Sequence, residues 1–158
     1  NMGLPSINPS EIVFPGKQDQ QQQVIQIDQQ SINFYLVCMG NPHAVIFSKP
    51  EDKLDIKTIG EYFNQPDQFK SGINVSLAEI ESTTSMKLQV YERGSGLTTA
   101  CGTAACAAVA IGKQLGQLET TVTVSQPGGD LVISWPNQQK DLMMSGGANH
   151  VFDGCWAI

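Results

Sequence analysis

Two periodicities share this chain. From Val24 onward, β-branched and aromatic residues gather in short runs: "VIQID", then "INFYLVCM" after a polar break at residues 29–31, then "AVIFS" after an interruption at "GNPH". Runs of this kind bounded by turn residues predict strands. "INVSLAEIES" and "MKLQVYE" continue the pattern up to Glu92, and "TVTVS", "DLVISW", "DLMMSG" and "NHVFDG" carry it past residue 120, punctuated by "PGG" and "GG". The count is about eight strands. "DIKTIGEYF" breaks the alternation, because Ile56, Ile59 and Phe63 recur at helical spacing behind Asp55 as an N-cap. One surface helix follows from it.

The stretch "ERGSGLTTACGTAACAAVAIGKQLG", residues 92–116, fits neither pattern. No charge falls between Arg93 and Lys113, and alanine dominates its second half. Residues 102–115 would make a helix about 21 Å long at 1.5 Å per residue, stopped by Gly116. A helix apolar all round must be buried on every side. Alanine also makes it thin, so strands can approach its backbone. The fold expected is α+β: a mostly antiparallel, strongly curved sheet wrapped around this central buried helix, with one peripheral helix. Residues 1–16, with three prolines, predict an extended lead-in, and the glutamine-rich 17–23 an exposed loop or strand end.

Length and charge narrow the classes. With 158 residues the chain forms one domain, 1–158, with a real core. A net charge of -6 argues against nucleic acid and anionic membranes as partners. No apolar run approaches the roughly 18 residues of a bilayer span, and no signal peptide opens the sequence, so a soluble cytoplasmic protein is expected. "NMGLPS", with Asn1 ahead of Met2, suggests a piece of something longer. Cys38, Cys101, Cys106 and Cys155 are scattered without the close pairs of a zinc site, which predicts reduced thiols and no bound metal.

Cys101 stands where the alanine-rich helix begins. The first amides of a helix lack partners inside it and carry partial positive charge, an arrangement that lowers a thiol pKa towards roughly 3.5 to 7.5. Cys101 is therefore expected to be thiolate near neutral pH, while the Gly102 and Thr103 amides hold a substrate carboxylate. Cys106 lies inside the helix, and Cys38 and Cys155 fall in strand-like segments; all three are assigned to core packing. Asn41 and His43 sit at a strand break, where turn chemistry alone explains the asparagine. Asn74 is by itself a polar strand residue, Glu92 and Arg93 a surface ion pair worth little. His150 and Asp153 are taken as structural.

Placed in order, "NMGLP", "MGNPHAVI", "INVS", "YERGSGLTTACGTAACAAVA", "VSQPGGDLVISW" and "GGANHVFDG" resemble the C-terminal half of diaminopimelate epimerase, essentially end to end. The resemblance implies a cofactor-independent isomerase that interconverts LL- and meso-diaminopimelate for lysine and peptidoglycan precursor synthesis, using two cysteines. In that family two similar halves face each other across the site and the protein forms a homodimer. Cys101 matches the cysteine of the second half. Glu92 and His43 match residues that hold the substrate amine and assist proton movement; Asn41, Asn74 and Arg93 match those gripping the distal end, while Gly102 and Thr103 keep the carboxylate role read from the helix start. The family has glutamate at Leu97, a cysteine or small residue at Ala44 and glycine at Ala104. The N-terminal half with the partner cysteine is absent from these residues, so the chain by itself is expected to be inactive. A half of a related isomerase of the proline racemase or phenazine type, and a noncatalytic ligand-binding domain, are the competing readings.

Overall fold

The computed structural model describes residues 1–7, 12, 22–27 and 29–156. Much of the expected lead-in, and residues 17–21 of the glutamine-rich patch, lie outside them. Nine strands and two α-helices follow one another as β1 (Gln22–Ile27), β2 (Gln30–Cys38), β3 (Pro42–Phe47), α1 (Ile56–Phe63), β4 (Asn74–Ser82), β5 (Ser85–Glu92), β6 (Gly96–Thr98), α2 (Gly102–Gln114), β7 (Thr121–Gln126), β8 (Gly129–Ser134) and β9 (Met143–Gly146). They form a single sheet in the order β1-β2-β3-β4-β5-β7-β8-β9, with β6 also on β5. Its ends, β1 and β9, do not pair, so the sheet is open.

The sheet is mixed, which corrects the mostly antiparallel expectation. Hairpins and short turns join antiparallel neighbours, but β3–β4 and β5–β7 are parallel. The reason lies in the helices. Each is a crossover, α1 between β3 and β4 and α2 between β5 and β7, and a crossover returns the chain to the end where it started.

The two helices take opposite faces. α1 begins as its sequence predicts, with the Asp55 carboxylate accepting the Thr58 amide at 3.0 Å. Ile56, Ile59 and Phe63 face a layer that includes Phe34, Leu36, Ile46 and Val75, with Phe63 edge-on to Phe34 at 4.9 Å between ring centres. On the other face lies α2, buried at every position from Ala104 to Gly112. It touches β2, β3, β4 and β8, strands far apart in the sheet order, so the sheet curves around it. Methyl side chains make that approach possible. The helix stops as expected: Gly116, at φ +72, lets its own amide reach the Lys113 carbonyl at 3.0 Å and the Gln117 amide the Gly112 carbonyl at 2.9 Å.

Two local expectations fail. "NHVFDG" forms no strand; Val151 and Phe152 are 85% and 78% exposed, and Cys155 is exposed too rather than in the core. Conversely β6 pairs with β5 over only three residues, too short for alternation to reveal it.

Candidate active site

Side chains alternate across a sheet, and that alternation assembles the site. Val45, Ala78 and Val90 point towards α2; two or four residues away on the same strands, so do His43, Asn74 and Glu92. Parallel pairing sets His43 directly beside Asn74. β5 runs antiparallel to β4, which brings Glu92 to the same end of the sheet. α2 begins there as well, with Cys101 as its N-cap in an extended conformation.

The groups are linked by hydrogen bonds. His43 Nε2 lies 3.0 Å from Asn41 Oδ1, and Asn41 Nδ2 donates to Thr103 Oγ1 at 3.4 Å. Thr103 Oγ1 is 3.5 Å from Cys101 Sγ, which donates to Glu92 Oε2 at 3.3 Å. Each acceptor is thereby left free to donate onward, so the chain runs in one direction from imidazole to carboxylate. It also fixes the tautomer: Asn41 Oδ1 can only accept, so His43 carries its proton on Nε2. Its Nδ1 is buried without a partner.

Arg93 and Asn74 stand beside this chain. Asn74 Nδ2 donates to the Pro42 carbonyl at 3.1 Å, and its Oδ1 accepts the Arg93 amide at 3.0 Å, tying β3, β4 and the end of β5 together. The Arg93 side chain is exposed and donates to the Ser71 carbonyl at 3.2 Å. Among the described residues it forms no ion pair with Glu92, contrary to the simplest reading of adjacent charges. The Gly102 and Thr103 amides precede the first bond of the helix, which runs from the Ala105 amide to the Cys101 carbonyl at 3.1 Å. They are among the donors that a helix start leaves without a partner inside the helix.

Electrostatics correct one expectation. Burial pushes the Cys101 thiol above its ordinary range, outweighing the Thr103 hydroxyl and the nearby Ala104 amide, which pull it down; the Glu92 carboxylate raises it further. The sulfur is a protonated donor, not a thiolate prepared by the helix start. A half-buried carboxylate at hydrogen-bond distance and the loss of water defeat a macrodipole whose effect is confined to the first turn. Cys106, deep in α2, is pushed up to about 12 by burial. His43 moves the other way, lowered to about 4 by burial and by the nearby Arg93 charge, and is neutral at pH 7.

Reading the sequence missed Gln126, whose Oε1 accepts the Cys101 amide at 2.8 Å. A signal was present in "TVTVSQ": Val122 and Val124 are the inward positions of β7, and Gln126 continues their period of two as a polar residue. The described residues contain no cluster of His, Cys, Asp or Glu able to hold a metal. His150 and Asp153 pair with each other at 3.0 Å, both exposed.

A family model for diaminopimelate epimerase matches residues 35–151, a span that includes every site residue above. A diaminopimelate epimerase of Teredinibacter turnerae is 42% identical over 154 residues, covering 98% of this chain and 56% of that protein. The chain thus spans about half the length of that relative. Two solved structures share the fold at low identity. A probable proline racemase of Agrobacterium radiobacter K84, with bound carbonate, has a TM-score of 0.57 at 15% identity, covering 79% of this chain and 45% of that one. A hydroxyproline epimerase of Agrobacterium vitis, with bound trans-4-hydroxy-L-proline, has a TM-score of 0.55 at 14% identity, covering 77% and 43%. With the sequence match extending over most of its length, the chain belongs to the diaminopimelate epimerase family.

Proposed function

We propose that this chain is one half of a cofactor-independent epimerase that inverts a carbon of diaminopimelate, with Cys101 as one of two opposed proton-transfer groups. The observation that carries the reading is the thiol at the tip of a buried helix, hydrogen-bonded to Glu92 beside the amides of Gly102 and Thr103.

The chemistry needs that arrangement. Inversion removes a proton from one face of the carbon and returns one to the other, so two groups must flank it. In the geometry found, Cys101 is the acid and delivers its proton to the carbanion. In the opposite direction Glu92 draws the proton from the sulfur, and the thiolate takes the substrate's α-proton. The carbanion's charge spreads into the adjacent carboxylate, where the Gly102 and Thr103 amides stabilise it as it grows. Neutral His43 and anionic Glu92 suit an ammonium group near the reacting carbon. The exposed Arg93 fork suits the carboxylate at the far end.

The second proton-transfer group is assigned to a facing half, as the length of the relative suggests. In support, the site lies at the rim of the sheet, where β3 and β4 begin, β5 ends and α2 starts. The 158 residues alone are expected to give negligible epimerisation. The test is solvent deuterium entering the substrate α-carbon with a protein containing both halves, compared with its Cys101→Ser form. Exchange lost from one stereoisomer in the variant supports the role; equal labelling in both proteins removes it.

A further inference from the structure

Strands β5 and β7 pair only from Ser85–Thr123 to Lys87–Ser125 and then part. The segment leading to Cys101 meets β7 and the β7–β8 turn beyond that point, and two hydrogen bonds hold it there. The Gly128 amide donates to the Thr99 carbonyl at 2.7 Å, and the Cys101 amide donates to Gln126 Oε1 at 2.8 Å. The approach is close enough that a Cβ on Gly128 would stand 3.1 Å from both the Thr99 carbonyl oxygen and the Ala100 Cβ. From these contacts we infer that Gln126 is a positioning residue for the reacting thiol, fixing the backbone of Cys101 so that its sulfur faces Glu92.

The chemistry of the glutamine points the same way. A backbone amide can only donate, so Gln126 must present its oxygen to Cys101, and this orients the whole side chain. Its Nε2 is then buried without a partner. Gln126 is only 8% exposed, in a row whose other inward members are valines. An apolar side chain would avoid the unmatched donor. The one end of this side chain in use is the oxygen, and it meets the residue that carries the thiol. The Cys101 side chain makes no capping hydrogen bond of its own, and Gln126 takes up the backbone donor just ahead of the helix, on the residue whose conformation aims the sulfur.

The inference draws its importance from the proposed role of Cys101, but its test does not use turnover. Iodoacetamide alkylation is followed against pH, with labelling at each cysteine read by peptide mass spectrometry. In Gln126→Leu the 99–101 segment is released, the sulfur withdraws from Glu92 and from its buried setting, and Cys101 alkylates roughly threefold faster or more near neutral pH. In Gln126→Glu an acceptor remains but a charge is added, so Cys101 alkylates more slowly and its profile moves to higher pH. Cys106 stays unreactive in both. Opposite shifts at Cys101 are the expected result, and the gain confined to Cys101 in Gln126→Leu is the arm that reads position, since a carboxylate at 126 raises a nearby thiol whatever holds it. Unchanged Cys101 profiles, or equal gains at Cys101 and Cys106, overturn the assignment. Should Gln126→Leu fail to fold, Gln126→Ala takes its place, an unchanged Cys101 profile overturning the assignment. A protein containing both halves that shows these shifts but exchanges no α-proton keeps the positioning role and loses the epimerase reading.

Discussion

Cys101 Sγ donates its proton to Glu92 Oε2 across 3.3 Å, from the start of a buried helix to the end of β5. Burial keeps the sulfur an acid in its resting state, and the contact adds to it, so that state depends in part on the carboxylate. In Glu92→Gln the charge that raises the thiol is gone, although burial, the larger cause, remains. The alkylation profile of Cys101 should move to lower pH, while turnover falls because the amide cannot accept the thiol proton. A profile that stays in place or moves up would show that the two groups do not interact in solution.

His43 links pH to stability. Its folded pKa, about 4, lies below the ordinary 6.5, so between these values the unfolded chain binds more protons than the folded one. Stability contributed by the neutral ring is complete above about pH 6.5 and is lost as pH falls to about 4, by about 3 kcal/mol in all. Urea midpoints at several pH values in this window, for the protein and for His43→Gln, measure it. The variant should lack this part of the slope; identical slopes would mean that the imidazole is not held neutral.

Arg93 is exposed and makes its side-chain hydrogen bond to the Ser71 carbonyl, so it contributes little to folding. Arg93→Ala should change stability by less than about 0.5 kcal/mol and raise KM for diaminopimelate roughly tenfold or more, as expected for the loss of a charge-assisted pair. Steady-state kinetics on the two-half protein separates the effects. An unchanged KM would take Arg93 out of substrate recognition.

Gly60 brings α1 against β5. A Cβ there would overlap the Tyr91 ring and its own Cβ, atoms too near the β5 backbone to swing away. Gly60→Ala should cost about 1 to 3 kcal/mol by overpacking, read as a lower urea midpoint with an unaltered slope.

The helices were legible because each carries a complete local signal: Asp55 with Ile56, Ile59 and Phe63 for α1, and unbroken alanine ended by Gly116 for α2. Strand direction was less legible. Alternation says which face a residue takes, while parallel pairing comes from where each crossover helix delivers the chain. "NHVFDG" has strand composition but acquires no neighbour among the described residues. The likeness of "GNPH", "ERG" and the cysteine loop to family motifs named residues that the fold does bring together, namely His43, Asn41, Thr103, Cys101 and Glu92. The protonation of Cys101 was misjudged because a helix start is visible in sequence, whereas the burial that opposes it comes from strands spread along the chain and the carboxylate from β5. Gln126 escaped because its partner is a backbone amide, which no motif records.

β5 gives one edge to β4 and divides the other between β7 and β6. Its hydrogen bonding is complete only when a helix and two later segments have arrived from beyond its own end. The corner that joins Glu92 to Cys101 therefore rests on pairings of two kinds, a hairpin to β6 close by in the chain and a parallel pairing to β7 reached only across α2. Acidity at the sulfur thus draws on a carboxylate nine residues away and on a hydrophobic enclosure gathered from the length of the chain.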